Sequence, residues 1–326
     1  MISFAVSISM AMSVLVGGEL EFKGAFPADV KTISIVMPAS ILPKAKFDRG
    51  KAALEKAGYR VKVAKRIDFK RVASAENRAR DFEEAWLDPE TDLVLCARGG
   101  TGAHEILDRL DWAKLRARRQ RVLGFSNITR ILNAMLKQEA GRPISGPSVS
   151  HLLYADADTI RFLPKAVGSE PIAVQVNSLK AGACRGTACG GHISNFLQGL
   201  KNGTGISPEG RIVFLESIGG SVETTRKMLD ELLRRGYLAK SAGIVFGDIS
   251  PTDEVWRKQK KENPQAADEA LAVLKRDFAA KAPCPVFDGY PYGHVPKSYA
   301  IDFLRTYEIT ADGKLTAAPL VSTPAR

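Results

Sequence analysis

The sequence predicts an α/β protein of two units, the first built on a parallel sheet. Three observations carry this. Its 326 residues exceed one typical domain of roughly 100 to 200 residues. From Lys31 onward, short apolar runs alternate with amphipathic helical segments, the pattern of βαβ units. Twenty-eight glycines supply tight turns between short elements.

Residues 32–37 (TISIVM) read as a buried strand, and residues 47–57 then show helical spacing. Gly58 stands where a left-handed cap is wanted, before a second strand at 59–64 (YRVKVA). Residues 75–87 (AENRARDFEEAWL) predict a charged amphipathic helix stopped by Asp88-Pro89. The strand at 92–96 (DLVLC) runs into Arg98-Gly99-Gly100-Thr101-Gly102, and a helix is expected over 104–110. The next strand, 121–125 (RVLGF), delivers Ser126 to a helix whose Ile128, Ile131, Leu132, Met135 and Leu136 share one face. Residues 141–147 (GRPISGP) read as a break in regular structure, and 163–178 as a crossing into the second unit. We place the division near Lys165. This gives a possible signal or extension over 1–30, a nucleophile-bearing unit over 31–164 and a second unit over 165–326.

The second half predicts strands at 211–215 (RIVFL) and 242–246 (AGIVF), with a helix between them over 222–235 presenting Met228, Leu229, Leu232 and Leu233. A further helix is expected over 266–279. Near the C terminus, residues 307–310 and 314–317 flank Ala311-Asp312-Gly313, a hairpin signal.

Forty-seven Lys and Arg against 36 Asp and Glu leave a formal charge of +11, which suits anionic partners. The basic runs at 116–121 (RARRQR) and 258–261 (KQKK) lack interleaved aromatics, so they read as solvated faces and no nucleic-acid partner is expected. The four cysteines form no CxxC and the four histidines no HExxH, so neither a metal nor a cofactor is expected. Cys96 reads as a small buried thiol, while Cys184 and Cys189 are close enough in sequence to pair across a turn in an oxidising compartment. Residues 2–16 (ISFAVSISMAMSVLV) form an apolar run, short for a membrane span, with small residues after it at Gly17-Gly18. Export is the expectation from residues 2–18, without stable membrane insertion. No Lys or Arg precedes the run, so a cytoplasmic chain beginning with a strand is the alternative.

Four segments carry chemistry. Leu123-Gly124-Phe125-Ser126-Asn127-Ile128 puts a serine between strand and helix, where a sharp turn exposes a nucleophile. It is half of a G-x-S-x-G elbow, since Ile128 stands where glycine would be, and a helix-capping serine is the plainer alternative. The 98–102 loop lets backbone donors approach an anion because its glycines carry no Cβ. Glu216 ends the apolar strand IVFLE, placed to orient another side chain, although a solvated capping acid has the same pattern. His294 lies in Tyr290-Pro291-Tyr292-Gly293-His294-Val295-Pro296, whose prolines fix an irregular loop.

Together these segments resemble the LD-carboxypeptidase family, with its ordered RGG loop, G-F-S-D turn, strand-end F-L-E and P-x-G-H loop. The matches are Arg98-Gly99-Gly100, Gly124-Phe125-Ser126, Phe214-Leu215-Glu216 and Pro291-Tyr292-Gly293-His294. Residues 78–89 resemble the family helix before the RGG strand, and Gly190-Gly191-His192-Ile193-Ser194 its G-G-N-L-S segment. Asn127 replaces the usual Asp, Thr101 a frequent Tyr, Ser145-Gly146-Pro147 the H-G-P triplet, and His192 an Asn.

The resemblance implies a Rossmann- or flavodoxin-like N-terminal domain, a swivelling-type C-terminal domain and an active site in the cleft between them. It implies a Ser126, Glu216, His294 catalytic set, with backbone N–H groups of Gly100 and Asn127 as oxyanion donors and Arg98 and Thr101 at the substrate. The implied partners are a murein tetrapeptide, losing its terminal D-Ala, and a second copy of the chain in a homodimer. A microcin-immunity branch, which cleaves peptide or acyl nucleotides with the same catalytic set, tends to lack the arginine before the glycine pair, so Arg98 argues for the murein enzyme. An ordinary α/β-hydrolase shares the order Ser, acid, His, but the missing elbow glycine and the two-unit pattern count against it. A ligand-binding sensor with Ser126 as a mere cap would leave Glu216 and His294 without a purpose.

Overall fold

The computed structural model describes residues 22–320; the apolar run read as an export signal lies outside the described residues. The chain begins β1 (Thr32–Val36), α1 (Lys44–Lys56), β2 (Arg60–Val63), α2 (Ala75–Leu87) and β3 (Leu93–Cys96). It continues through a 3-10 helix (Ala103–Arg109), α3 (Trp112–Arg116) and β4 (Arg121–Gly124). A 3-10 turn (Ser126–Ile128) then leads into α4 (Thr129–Lys137), β5 (Arg142–Ser145), α5 (Val149–Leu152) and α6 (Ala157–Val167). The second half holds β6 (Ile172–Gln175), β7 (Asn177–Lys180), β8 (Cys184–His192), α7 (Ile193–Lys201), β9 (Arg211–Ile218), α8 (Val222–Arg234) and β10 (Gly243–Ser250). It ends α9 (Glu254–Glu262), α10 (Pro264–Lys281), β11 (Val286–Asp288), β12 (Ile301–Asp302), β13 (Thr306–Ile309) and β14 (Lys314–Ala317).

The first sheet runs β12-β5-β4-β3-β1-β2, parallel except for β12. The order 2-1-3-4-5 is that of the flavodoxin-like fold, in which ligands sit beyond the carboxyl ends where β1 and β3 part. The loops leaving β1, β3 and β4 carry Ser40, Arg98 to Gly102, and Ser126. The second sheet, β6-β14-β13-β8-β9-β10-β11-β7, has four parallel strands, β8 to β11, flanked by antiparallel ones. The α/β class expected from the alternating pattern is therefore the fold observed.

Several local expectations are corrected. The segment 104–110 winds as a 3-10 helix, entered through Gly102 at φ 88°. Residues 142–145 form a strand despite Pro143. The N–H groups of Arg142 and Gly146, alternate residues along it, bond toward β4, so the missing N–H of Pro143 faces the two-residue β12, where its carbonyl accepts from Phe303. The expected crossing contains the end of α6 and the whole of β6, and Lys165 falls inside the helix. Cys184 and Cys189 lie five positions apart on β8, on opposite faces and roughly 17 Å apart, so they cannot pair.

Helix α4 is buried from Thr129 to Leu136, on the polar face as well as the apolar one. Ile131, Leu132 and Met135 each contribute about 1.5–3 kcal/mol by leaving water. The opposite face packs on the second sheet, where Asn133 donates to the Gly190 carbonyl (2.8 Å) and accepts from its N–H (3.2 Å). Thr129 Oγ1 accepts from His192 N (3.1 Å), and a Cβ on Gly191 would collide with that hydroxyl. The glycine pair before His192 thus lets the nucleophile helix lie directly on β8.

Candidate functional site

Ser126 sits at φ 65°, a left-handed conformation unusual for a residue with a side chain, between β4 and α4. Such backbone strain costs about 1–3 kcal/mol and persists only where the surroundings enforce it. They do so with glycines. A Cβ on Gly99 would lie 2.7 Å from Ser126 Cβ and 2.9 Å from its Oγ, and one on Gly124 2.9 Å from Cys96 Cβ and Ile128 Cγ2. The second elbow glycine that the sequence lacks at 128 is in effect supplied by Gly99, from the loop of the neighbouring strand.

That loop is itself pinned. Gly100 turns at φ 97° against the Ser40 hydroxyl, Ser40 N donates to Gly99 O (3.2 Å), and Ser40 Oγ accepts from Thr101 N (2.9 Å). Buried Arg78 donates to Pro38 O and Gly102 O (both 2.9 Å) and pairs with Glu105, so one guanidinium joins the loops after β1 and β3. Arg98 and Thr101 are exposed; Arg98 Nη1 donates to Ile41 O (3.1 Å). The N–H groups of Gly100 and Asn127 have no partner among the described residues. The Asn127 side chain accepts from Ala103 N (2.9 Å) and donates to Asn195 Oδ1 on α7 (2.7 Å). Its amide is a tie between the two halves, which leaves only its backbone to face a ligand.

The other half of the site comes from the second sheet. Glu216 does not end its strand, as the sequence suggested. β9 runs on to Ile218, and Glu216 is fully buried within it, paired in register with His192 on β8. Its Oε2 accepts from His294 Nδ1 at 2.8 Å, while Oε1 is buried without a partner. A carboxylate only accepts, so Nδ1 carries the hydrogen and Nε2 is left with a lone pair. The His294 loop rests on a bulge in β10: Asp248 N donates to Tyr292 O (2.7 Å), and a Cβ on Gly293 would lie 2.8 Å from Asp248 Cβ. Burial pushes the Asp248 carboxyl above its usual range.

The two halves meet at Phe125, the residue before Ser126, whose ring lies 4.3 Å from that of His294. No hydrogen bond joins Ser126 to His294 among the described residues, and such contacts often tighten only when substrate binds. His192 stands edge-on to His294 at 5.9 Å, held by Ser194 Oγ (3.0 Å) and the Ile218 carbonyl (3.2 Å).

Sequence reasoning singled out Ser126, Glu216, His294 and the glycine loop; the fold joins Glu216 to His294 and Gly99 to Ser126, and the two pairs are linked through Phe125. It missed Arg78, Asp248, His151 and Asn195 as neighbours. Arg78 had a signal, an arginine on the face of α2 that carries Phe82 and Ala85; the others depend on contacts between segments distant in sequence. Among the described residues no group of three or more His, Cys, Asp or Glu is arranged to hold a metal, and no helix is long and apolar enough to cross a membrane.

Comparison with known proteins supplies the kinship. The LD-carboxypeptidase N-terminal domain matches residues 33–145, and the LD-carboxypeptidase C-terminal domain residues 185–309. The probable murein peptide carboxypeptidase of Bacillus subtilis is 26% identical over 285 residues, 83% of this chain and 86% of its own. The muramoyltetrapeptide carboxypeptidase structure from Oxalobacter formigenes superposes with TM-score 0.75 at 23% identity, covering 90% of this chain and 100% of that one. The structure of MccF in complex with glutamyl sulfamoyl guanosine also reaches 0.75, at 17% identity, covering 92% and 100%. At these identities the structural likeness speaks for the fold.

Proposed function

Because this chain belongs to the LD-carboxypeptidase family of peptidases, we propose that it is a serine carboxypeptidase releasing terminal D-Ala from murein tetrapeptides. The observation that carries the catalytic assignment is the 2.8 Å bond from His294 to buried Glu216, set against a left-handed Ser126 through Phe125.

In this reading Ser126 Oγ attacks the carbonyl of the residue before D-Ala, and His294 Nε2 takes its proton and returns it to the leaving amine. Glu216 fixes the tautomer and stabilises the imidazolium. The unpartnered N–H groups of Gly100 and Asn127 receive the oxyanion. Water then attacks the acyl-enzyme with His294 as base, regenerating Ser126. Arg98 and Thr101, exposed on the glycine loop, meet the substrate, the cation facing its terminal carboxylate.

The test is to incubate the purified protein with murein tetrapeptide and with an acyl-adenylate, and to weigh the products. Release of alanine from the tetrapeptide alone supports the reading. Equal turnover of the acyl-adenylate moves the protein toward MccF, whose fold it shares. The expected homodimer is checked by the mass of the protein in solution.

A further inference from the structure

One buried titratable group near the site has no part in the mechanism above. His151, on α5, is 1% exposed. Its Nε2 lies 2.9 Å from the carbonyl oxygen of Val295, the residue after His294. A carbonyl only accepts, so Nε2 carries the hydrogen and Nδ1 is bare; Nδ1 is buried and has no partner among the described residues. The ring is stacked on Tyr154 at 4.6 Å and 13°, and it meets Phe125 edge-on at 5.2 Å. Phe125 in turn covers His294.

His151 therefore touches both halves of the site: by a hydrogen bond it holds the backbone that presents His294, and by ring contact the residue that precedes Ser126. We infer that His151 is a positioning residue that sets the distance between nucleophile and general base. This rests on the Ser126, Glu216, His294 assignment. Neutrality suits the place. The ring lies beside a histidine that becomes positive in every turnover, and a lysine or arginine donor there would oppose that charge. Burial, reinforced by the nearby His294, holds the His151 pKa down to about 4.

Two substitutions separate the contacts. His151→Phe keeps a ring between Tyr154 and Phe125 but removes the donor. His151→Gln keeps an N–H near Nε2 and removes the ring. The expected result is a kcat for His151→Phe lower by about 10- to 100-fold with KM within about twofold, and partial recovery of kcat in His151→Gln. Such losses are typical when a group orienting a base is misplaced. Wild-type kcat in His151→Phe overturns the inference, as does a His151→Gln that is no better. Should His151→Phe fail to fold, 15N NMR of the wild-type protein decides: hydrogen on Nε2 and no titration above pH 5 are expected. A ring carrying its hydrogen on Nδ1, or titrating near pH 6.5, overturns it. Ser126→Ala is run alongside. If that variant stays active the catalytic assignment itself has failed; if it is dead while His151→Phe is normal, only the role of His151 has.

Discussion

The two halves of the site are held in place by different physics. On the nucleophile side the constraint is backbone: Ser126 at φ 65°, Gly100 at φ 97°, and the missing Cβ atoms of Gly99 and Gly124. On the acid–base side it is side-chain hydrogen bonding between residues 78 apart in sequence, Glu216 to His294, on a loop seated on a strand bulge. The first half should be intolerant of added carbon and indifferent to charge. The second should tolerate changes of shape better than loss of an acceptor.

The sharpest test of this contrast changes a single heavy atom on each side, deleting one and exchanging the other. Ser126→Ala should lower kcat by roughly 10⁴- to 10⁶-fold, the loss found when a hydrolase loses its nucleophile. The melting temperature should hold, because the alanine keeps the same backbone. Glu216→Gln should cost roughly 10³- to 10⁴-fold, about 4–5 kcal/mol, because an amide can donate where His294 needs an acceptor and turns the imidazole round. Glu216 is fully buried with one oxygen unpartnered, so removing its charge should leave the melting temperature equal or higher. A Gln variant with near wild-type turnover takes Glu216 out of the site.

The junction between the two halves should also carry a pH signature, at His151. His151 falls from the ordinary 6.5 to about 4 through burial. Between those values the unfolded chain binds the proton and the folded one does not, so stability rises with pH across that window. It is fully present above 6.5 and is lost as pH falls toward 4, about 3 kcal/mol in all. Denaturant titrations at pH 7 and pH 4 should show this loss in the wild type and a smaller one in His151→Phe. Equal losses would mean that the ring is not buried neutral.

Gly99→Ala probes the nucleophile half by bulk alone. The added methyl lies 2.7 Å from Ser126 Cβ and 3.1 Å from Asn127 N, against rigid backbone. It should destabilise by about 1–3 kcal/mol and displace the nucleophile, whereas Thr101→Ser, on the same exposed loop, should do neither. Kinetics and melting curves of the pair check this; wild-type behaviour of Gly99→Ala would show that the loop yields.

The contrast also explains what could be read from the sequence. Turn chemistry is local, so Gly99, Gly100 and Ser126 announce themselves within a few residues, as do the periodic helices α2 and α8. The acid–base half needs partners from distant strands. Glu216 looked like a strand-end acid because IVFLE becomes polar there, yet β9 continues through Ser217 and Ile218 beside β10. Pro143 concealed a strand because a proline costs a ladder bond only on the side where its N–H would point. His151 gave no sign at all, since its meaning lies in Val295, 144 positions away. Nor does anything local mark the Asn127 amide as the tie between Ala103 and Asn195.

The smallest expected effect lies where the two kinds of constraint meet, at Arg98. Its guanidinium is exposed yet donates to the Ile41 carbonyl, so it can hold the glycine loop, receive the substrate carboxylate, or do both. A carboxylate contact made equally in ground and transition states raises KM alone on removal, and an exposed charge of this kind is worth about tenfold, about 1.4 kcal/mol. Arg98→Ala should therefore raise KM about tenfold with kcat and melting temperature nearly unchanged. A substrate ending in D-Ala amide separates the roles by a cycle. If Arg98 meets the carboxylate, the amide should cost the wild type the same factor and cost Arg98→Ala nothing further. If Arg98 only holds the loop, the two losses should multiply, and kcat should fall with KM unchanged because the glycine that presses on Ser126 has moved.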